Sequence, residues 1–137
     1  MTKRGIAPLR IESLTVQPGR IVSEVIVDSS RRYTTPQLAD TLLEEYPTLA
    51  SHACVNDAGD TFGCVIEHTS VPHLLEHLVI DLQARSGGRQ NDTFVGTTEW
   101  IDEAAGRATV QVSFTDDLVA LRAFRDASEK IAAAMLK

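Results

Sequence analysis

The chain has no run of about 18 apolar residues, so no transmembrane helix is expected. It has only two cysteines, Cys54 and Cys64. They are too few for a disulfide framework and do not form a Cys-x-x-Cys pair, so they read as reduced, partly buried thiols. Positive charge is scarce: 13 Lys and Arg stand against 19 Asp and Glu, for a net charge of -6. A nucleic-acid binder needs a basic stripe, so nucleic acid is not an expected partner. Lys3 and Arg4 lie near the start, but no apolar segment follows them. A signal peptide is therefore not expected, and a cytoplasmic location is the default. No repeat or low-complexity linker divides the sequence. With 43% hydrophobic and 23% charged residues the composition is that of a folded chain rather than a disordered one. Residues 1–137 are expected to form one domain, large enough to bury a core.

The pattern along the chain predicts its elements. Leu9 to Gln17 and Arg20 to Asp28 read as two strands joined at the Pro18-Gly19 turn, the second rich in β-branched residues. Thr35-Pro36 opens a helix as N-cap and first helical residue, with Leu38, Leu42 and Leu43 as its stripe, and Pro47 ends it. Thr48 to Cys54 reads as a further short helical turn, and Asn56 to Asp60 as a loop. A second helix runs from Ser70 and Pro72 to about Arg85, where positive charge suits the helix dipole, and Gly87-Gly88 stops it. Two more strands follow, Thr93 to Ile101 and Arg107 to Phe114, joined by a loop over Asp102 to Gly106. In the second, Ala108, Val110, Val112 and Phe114 alternate with polar residues. A last helix spans about Thr115 to Met135, with Asp116 and Asp117 at its start. The order ββα–αββα predicts an α+β fold: a largely antiparallel sheet with helices on one side.

The second helix carries the chemistry. His73-Leu74-Leu75-Glu76-His77 places two histidines one turn apart on one face, with Glu76 beside them. Leu74, Leu75, Leu78, Val79 and Leu82 fall on the opposite side as the core stripe. This is the H-x-x-E-H arrangement, in which two imidazoles converge on Zn²⁺ and a carboxylate next to them serves as general base. Manganese, iron and nickel also suit such ligands. Ile80 sits on the polar face one turn on, so something is expected to cover that face. The motif needs a third ligand. Glu99, on a predicted strand, is the first choice, because a strand residue aimed at a helix is a rigid ligand. His68, Glu67 and His52 are further candidates, and Asp81 lies one position off the site face and reads as exposed. Thr97 and Thr98 are candidates to bring hydroxyls near the metal.

The stretch from His73 to Gly87 resembles the N-terminal domain of cyanophycin synthetases, where an H-x-x-E-H helix continues through a Leu-Gln pair to a small-residue stop. The similarity continues through Gly96-Thr97-Thr98-Glu99, the strand Arg107 to Phe114, and a closing helix with Ala127 and Ala132-Ala133-Ala134. It spans roughly the second half of the chain, with looser similarity before it. The resemblance implies a zinc-dependent peptide-hydrolase site that cuts an Asp-Arg polymer into primers. It matches His73 and His77 to metal ligands, Glu76 to the catalytic base and Glu99 to the acidic residue proposed as third ligand. The family's Arg-Thr-Arg-Glu segment is replaced here by Gly96-Thr97-Thr98-Glu99, without its basic residues. These 137 residues show no ATP-grasp or ligase segment, so hydrolysis rather than polymer synthesis is expected.

Two functions follow as expectations. One is a zinc-dependent hydrolase of peptide or amide bonds, acting on a peptide or polypeptide; the acidic charge suits an arginine-rich one. The other is a non-catalytic, metal-stabilised binding or assembly domain. A shallow site on a small domain is often completed by a second subunit, which makes a homodimer an open expectation.

Overall fold

The computed structural model describes residues 7–87 and 93–137. Four strands form one antiparallel sheet: β1 (Leu9–Gln17), β2 (Arg20–Val27), β5 (Gly96–Asp102) and β6 (Arg107–Ser113), in the order β1-β2-β6-β5. The β1–β2 turn closes on the Gln17↔Arg20 pair, with Gly19 at φ 77°, a conformation that favours glycine. A bulge between Ile11 and Ser13 interrupts the ladder. Period-2 alternation sends Ile21, Val25 and Val27 of β2 and Ala108, Val110 and Val112 of β6 to one buried face.

Three helices accompany the sheet. In α1 (Pro36–Glu45), Thr35 is the N-cap and its Oγ1 accepts the Leu38 N–H at 3.1 Å. In α3 (Asp117–Met135), Asp116 Oδ1 accepts the N–H groups of Leu118 and Val119. Between them α2 (Val71–Gly87) begins where Ser70 Oγ accepts the His73 N–H at 3.2 Å. Helices α2 and α3 pack on each other and on the sheet. Leu74, Leu75, Leu78 and Val79 are fully buried there, each contributing about 2 kcal/mol by leaving water. Leu82 packs at the edge of the same cluster.

The described residues therefore form the α+β fold that the pattern predicts, with its elements within a few residues of their expected bounds. The strand expected from Thr93 begins at Gly96. Gly88 of the Gly87-Gly88 stop, the loop after it and residues 1–6 lie outside the described residues. The region between α1 and α2 departs most from expectation. The helical turn is a 3-10 helix, Pro47–Ser51, and it ends before Cys54. Ala53–Asn56 is a strand, β3, that pairs with β4 (Gly59–Thr61) in a small second sheet, and Phe62–Cys64 follows as another 3-10 turn. The expected loop is the turn of this hairpin. Asn56 builds it: its Oδ1 accepts from the N–H groups of Ala58 and Gly59, and its Nδ2 donates to the carbonyls of Cys54 and Thr61. A side chain that satisfies four backbone groups replaces the ladder bonds that so short a hairpin lacks.

Candidate metal centre

Helical spacing puts His73, Glu76 and His77 on one face of α2, and the tertiary structure encloses that face. Glu76 is 6% exposed and His77 4%, whereas His73 is half-buried. On one side lies β5. Thr98 Oγ1 donates to Glu76 Oε1 at 2.8 Å. Gly96 makes this approach close: a Cβ there would lie 2.7 Å from Glu76 Cγ and 2.8 Å from the Gln111 carbonyl oxygen. On the other side lies the β3–β4 hairpin, which carries Cys54. Its Sγ is 3.6 Å from His73 Nε2. Phe62, fully buried, forms the floor: its ring stacks on His77 with centroids 4.1 Å apart and meets His73 edge-on at 5.0 Å.

Cys54, His73 and His77 each offer one donor atom, and these atoms lie within 4.8 Å of one another. Zinc bonds of about 2.0–2.3 Å at tetrahedral angles place donors about 3.3–3.8 Å apart. The Cys54–His73 spacing already falls in that range. A thiolate with two imidazoles is a donor set that suits zinc. Each histidine also has a partner at its other ring nitrogen: Thr69 Oγ1 is 2.9 Å from His73 Nδ1, and His52 Nδ1 is 3.1 Å from His77 Nδ1.

Burial sets the charge states. It lowers the His73 pKa, and it lowers that of His77 to about 3, helped by the neighbouring His73 and His52 rings. Both imidazoles are thus neutral near pH 7, with a lone pair to offer. His77 Nε2 and Glu76 Oε2, 3.7 Å apart, accordingly form no ion pair. Burial raises the Glu76 pKa, and the Thr98 hydrogen bond only partly offsets this. At Asp81 burial opposes ionisation, but hydrogen bonds from His52, Thr48 and Arg85 outweigh it and hold the carboxyl below its usual value.

A pH dependence of stability follows. In the unfolded chain His77 titrates near its ordinary 6.5, and in the folded protein at about 3. Between those values the unfolded state binds more protons, so acid favours unfolding. The stability of metal-free protein is expected to be retained above about pH 6.5 and to fall as pH drops toward 3. His77 alone would account for about 2–3 kcal/mol of loss by pH 4.5. His73 acts in the same direction. Glu76 acts oppositely, because its share is present below its unfolded value and fades as pH rises through the raised folded value. The His77 shift is the large one, and the lowered Asp81 pKa adds loss in the same direction as pH falls. Urea midpoints measured from pH 7 to 4 should fall; a flat or rising midpoint would contradict the neutral buried histidines.

Of the residues picked from the sequence, His73, Glu76 and His77 come together, and Glu99 does not. Adjacent strand residues point to opposite faces, and in β5 Thr98 takes the side facing Glu76. Glu99 is consequently exposed, as is Thr97. Glu67 and His68 are also exposed, with His68 stacked on Tyr33. Asp81, expected to be exposed, is 3% exposed and bonds to His52. Of the two thiols, Cys64 is exposed and only Cys54 is partly buried. Ile80 is partly buried and packs against the hydrophobic core. The sequence pattern alone does not mark Cys54, Phe62 or Thr69 as site residues. The Asn-Asp-Ala-Gly turn between Cys54 and Asp60 was the signal for the hairpin that delivers Cys54. A cleft of about 750 Å³ lies elsewhere, lined by Arg31, Arg32, Tyr33 and Met135 among others, and includes no residue of the His73–Glu76–His77 group.

A search of curated proteins finds no match to this chain. The family model described as cyanophycin synthase-like N-terminal domain matches residues 22–136. That span runs from β2 to α3, so it takes in the part of looser similarity as well as the second half, and it includes every residue of the buried site. The chain belongs to the cyanophycin synthase-like N-terminal domain family.

Proposed function

We propose that this domain is a zinc-dependent hydrolase of peptide or amide bonds, with His73, His77 and Cys54 holding the metal and Glu76 serving as base. The observation that carries this reading is the Glu76 carboxyl. It is buried beside two neutral imidazoles and a thiol, with a raised pKa and one oxygen held by Thr98. A structural carboxylate would be paired with a cation, and Glu76 has none within ion-pair distance among the described residues, His77 being neutral. Three protein ligands leave one position of a four-coordinate ion for water or substrate. Bound zinc would supply Lewis acidity toward water and toward a substrate carbonyl. The protein's own residues do the rest. Thr98 fixes Oε1, which leaves Oε2 free on the side of His77 to take a proton from water and pass it to the leaving amine. The raised pKa suits both halves of that transfer. Half-buried His73 and Cys54 mark the side from which substrate reaches the site.

Metal content tests the centre directly. Protein purified without a polyhistidine tag or chelator should carry about one zinc per chain, and His73→Ala should lose it. Wild-type protein that takes up no zinc would overturn the reading.

The near-complete burial of Glu76 and His77 favours one second reading, a metal-stabilised binding or assembly domain without catalysis. It requires the protein to fill every coordination position. The absorption spectrum of cobalt-substituted protein separates the two: an added hydroxamate should shift it if a position is open and leave it unchanged if none is.

A further inference from the structure

A hydrogen-bonded chain leads away from the site through residues that the proposed reaction does not use. Asp81 lies one helical turn beyond His77, and its carboxylate receives three donors. Oδ1 takes Thr48 Oγ1 at 2.5 Å and His52 Nε2 at 3.0 Å, and Oδ2 takes Arg85 Nε at 2.9 Å. Thr48 and His52 belong to one segment, the 3-10 turn after α1 and the residue that follows it, so that segment grips α2 at two points. The other ring nitrogen of His52, Nδ1, lies 3.1 Å from His77 Nδ1.

We propose that Asp81 and His52 are positioning residues that fix His77 as the Nδ1–H tautomer and so present its Nε2 lone pair to the metal. This rests on the reading of His77 as a zinc ligand. The argument runs through donors and acceptors. An ionised carboxylate can only accept, so His52 Nε2 carries the proton that bonds to Asp81. A neutral imidazole with Nε2–H has a bare Nδ1. That bare Nδ1 faces His77 Nδ1 at hydrogen-bond distance, and two lone pairs so placed would repel. His77 Nδ1 therefore carries the proton and donates it to His52. Its Nε2 is left bare on the side of Glu76 Oε2, 3.7 Å away. At His73, Thr69 Oγ1 lies 2.9 Å from Nδ1 and Cys54 Sγ 3.6 Å from Nε2, so Nε2 faces the sulfur; a hydroxyl can donate or accept, so this contact orients the ring without selecting its tautomer. An imidazole without a selecting partner divides between its two tautomers, and only one of them can bind metal through Nε2.

The test reads tautomers as well as metal. Long-range ¹H–¹⁵N spectra of histidine-labelled, zinc-free protein at neutral pH should show His77 as Nδ1–H and His52 as Nε2–H. In Asp81→Asn the amide can donate as well as accept, and a substitution of this kind can reverse the tautomer of the histidine it orients. His77 in that variant should shift toward Nε2–H, and zinc affinity should fall about 10- to 100-fold. Wild-type His77 found as Nε2–H would overturn the proposal, and it needs no variant to fold. An Asp81→Asn protein with unchanged tautomers and affinity would also overturn it. So would His52→Ala losing zinc as completely as His77→Ala, since His52 would then be a ligand. If wild-type protein binds no zinc, the metal-site reading fails, and the tautomers alone decide whether the chain orients His77.

Discussion

Glu76→Gln is expected to keep its zinc and to lose turnover about 10²- to 10⁴-fold, the range that a positioned general base supplies. The substitution is isosteric, so the Thr98 Oγ1 contact at 2.8 Å and the close packing against Gly96 can both survive. What disappears is the carboxylate proposed to take a proton from water and return it. Metal content and turnover on peptide substrates, Asp-Arg polymers first, must be measured on the same preparation. A metal-replete Glu76→Gln protein with wild-type turnover would rule out Glu76 as base. The variant has a second signature. An amide does not ionise, so the destabilising share of the buried carboxyl is gone. Metal-free Glu76→Gln should be more stable than metal-free wild type at pH 7. Lower activity together with lower stability would point to a damaged fold instead.

The second large effect separates the third ligand read from the sequence from the one the fold supplies. Cys54→Ala should weaken zinc binding by at least about 100-fold, more than loss of an outer-shell partner costs. Glu99→Ala should leave binding unchanged, because its exposed side chain points away from the histidines. Zinc titrations of the two variants by competition with a chelator would show this. The reverse result, with Glu99 required and Cys54 dispensable, would mean that β5 sits one residue out of the register described here, since a one-residue slip exchanges the faces of a strand.

Short-range physics made much of the protein legible. The H-x-x-E-H spacing and the helical repeat place His73, Glu76 and His77 together whatever surrounds them. Thr35, Ser70 and Asp116 act on backbone groups two or three residues away, so the helix starts are local facts. Alternation along β2 and β6, and the turn at Pro18-Gly19, are equally local. These features sufficed for the α+β architecture and for two of the proposed metal ligands with their base.

Only the tertiary structure decided what closes over them. Strand alternation says that Thr98 and Glu99 face opposite ways, but not which one meets α2. That follows from the pairing of β5 with β6, Thr98 opposite Val110 and Glu99 opposite Thr109. Cys54 lies 19 residues before His73 with no periodic relation to it, and the Asn56-centred hairpin brings its sulfur to 3.6 Å. Asp81 stands four residues beyond His77 and is polar, so by sequence it reads as solvated. It is buried because Thr48 and His52 fold down on it. A helix sets angles among its own residues through its repeat, whereas contacts between elements depend on register and on which turn closes where. Those are settled by the packing of the whole chain at once.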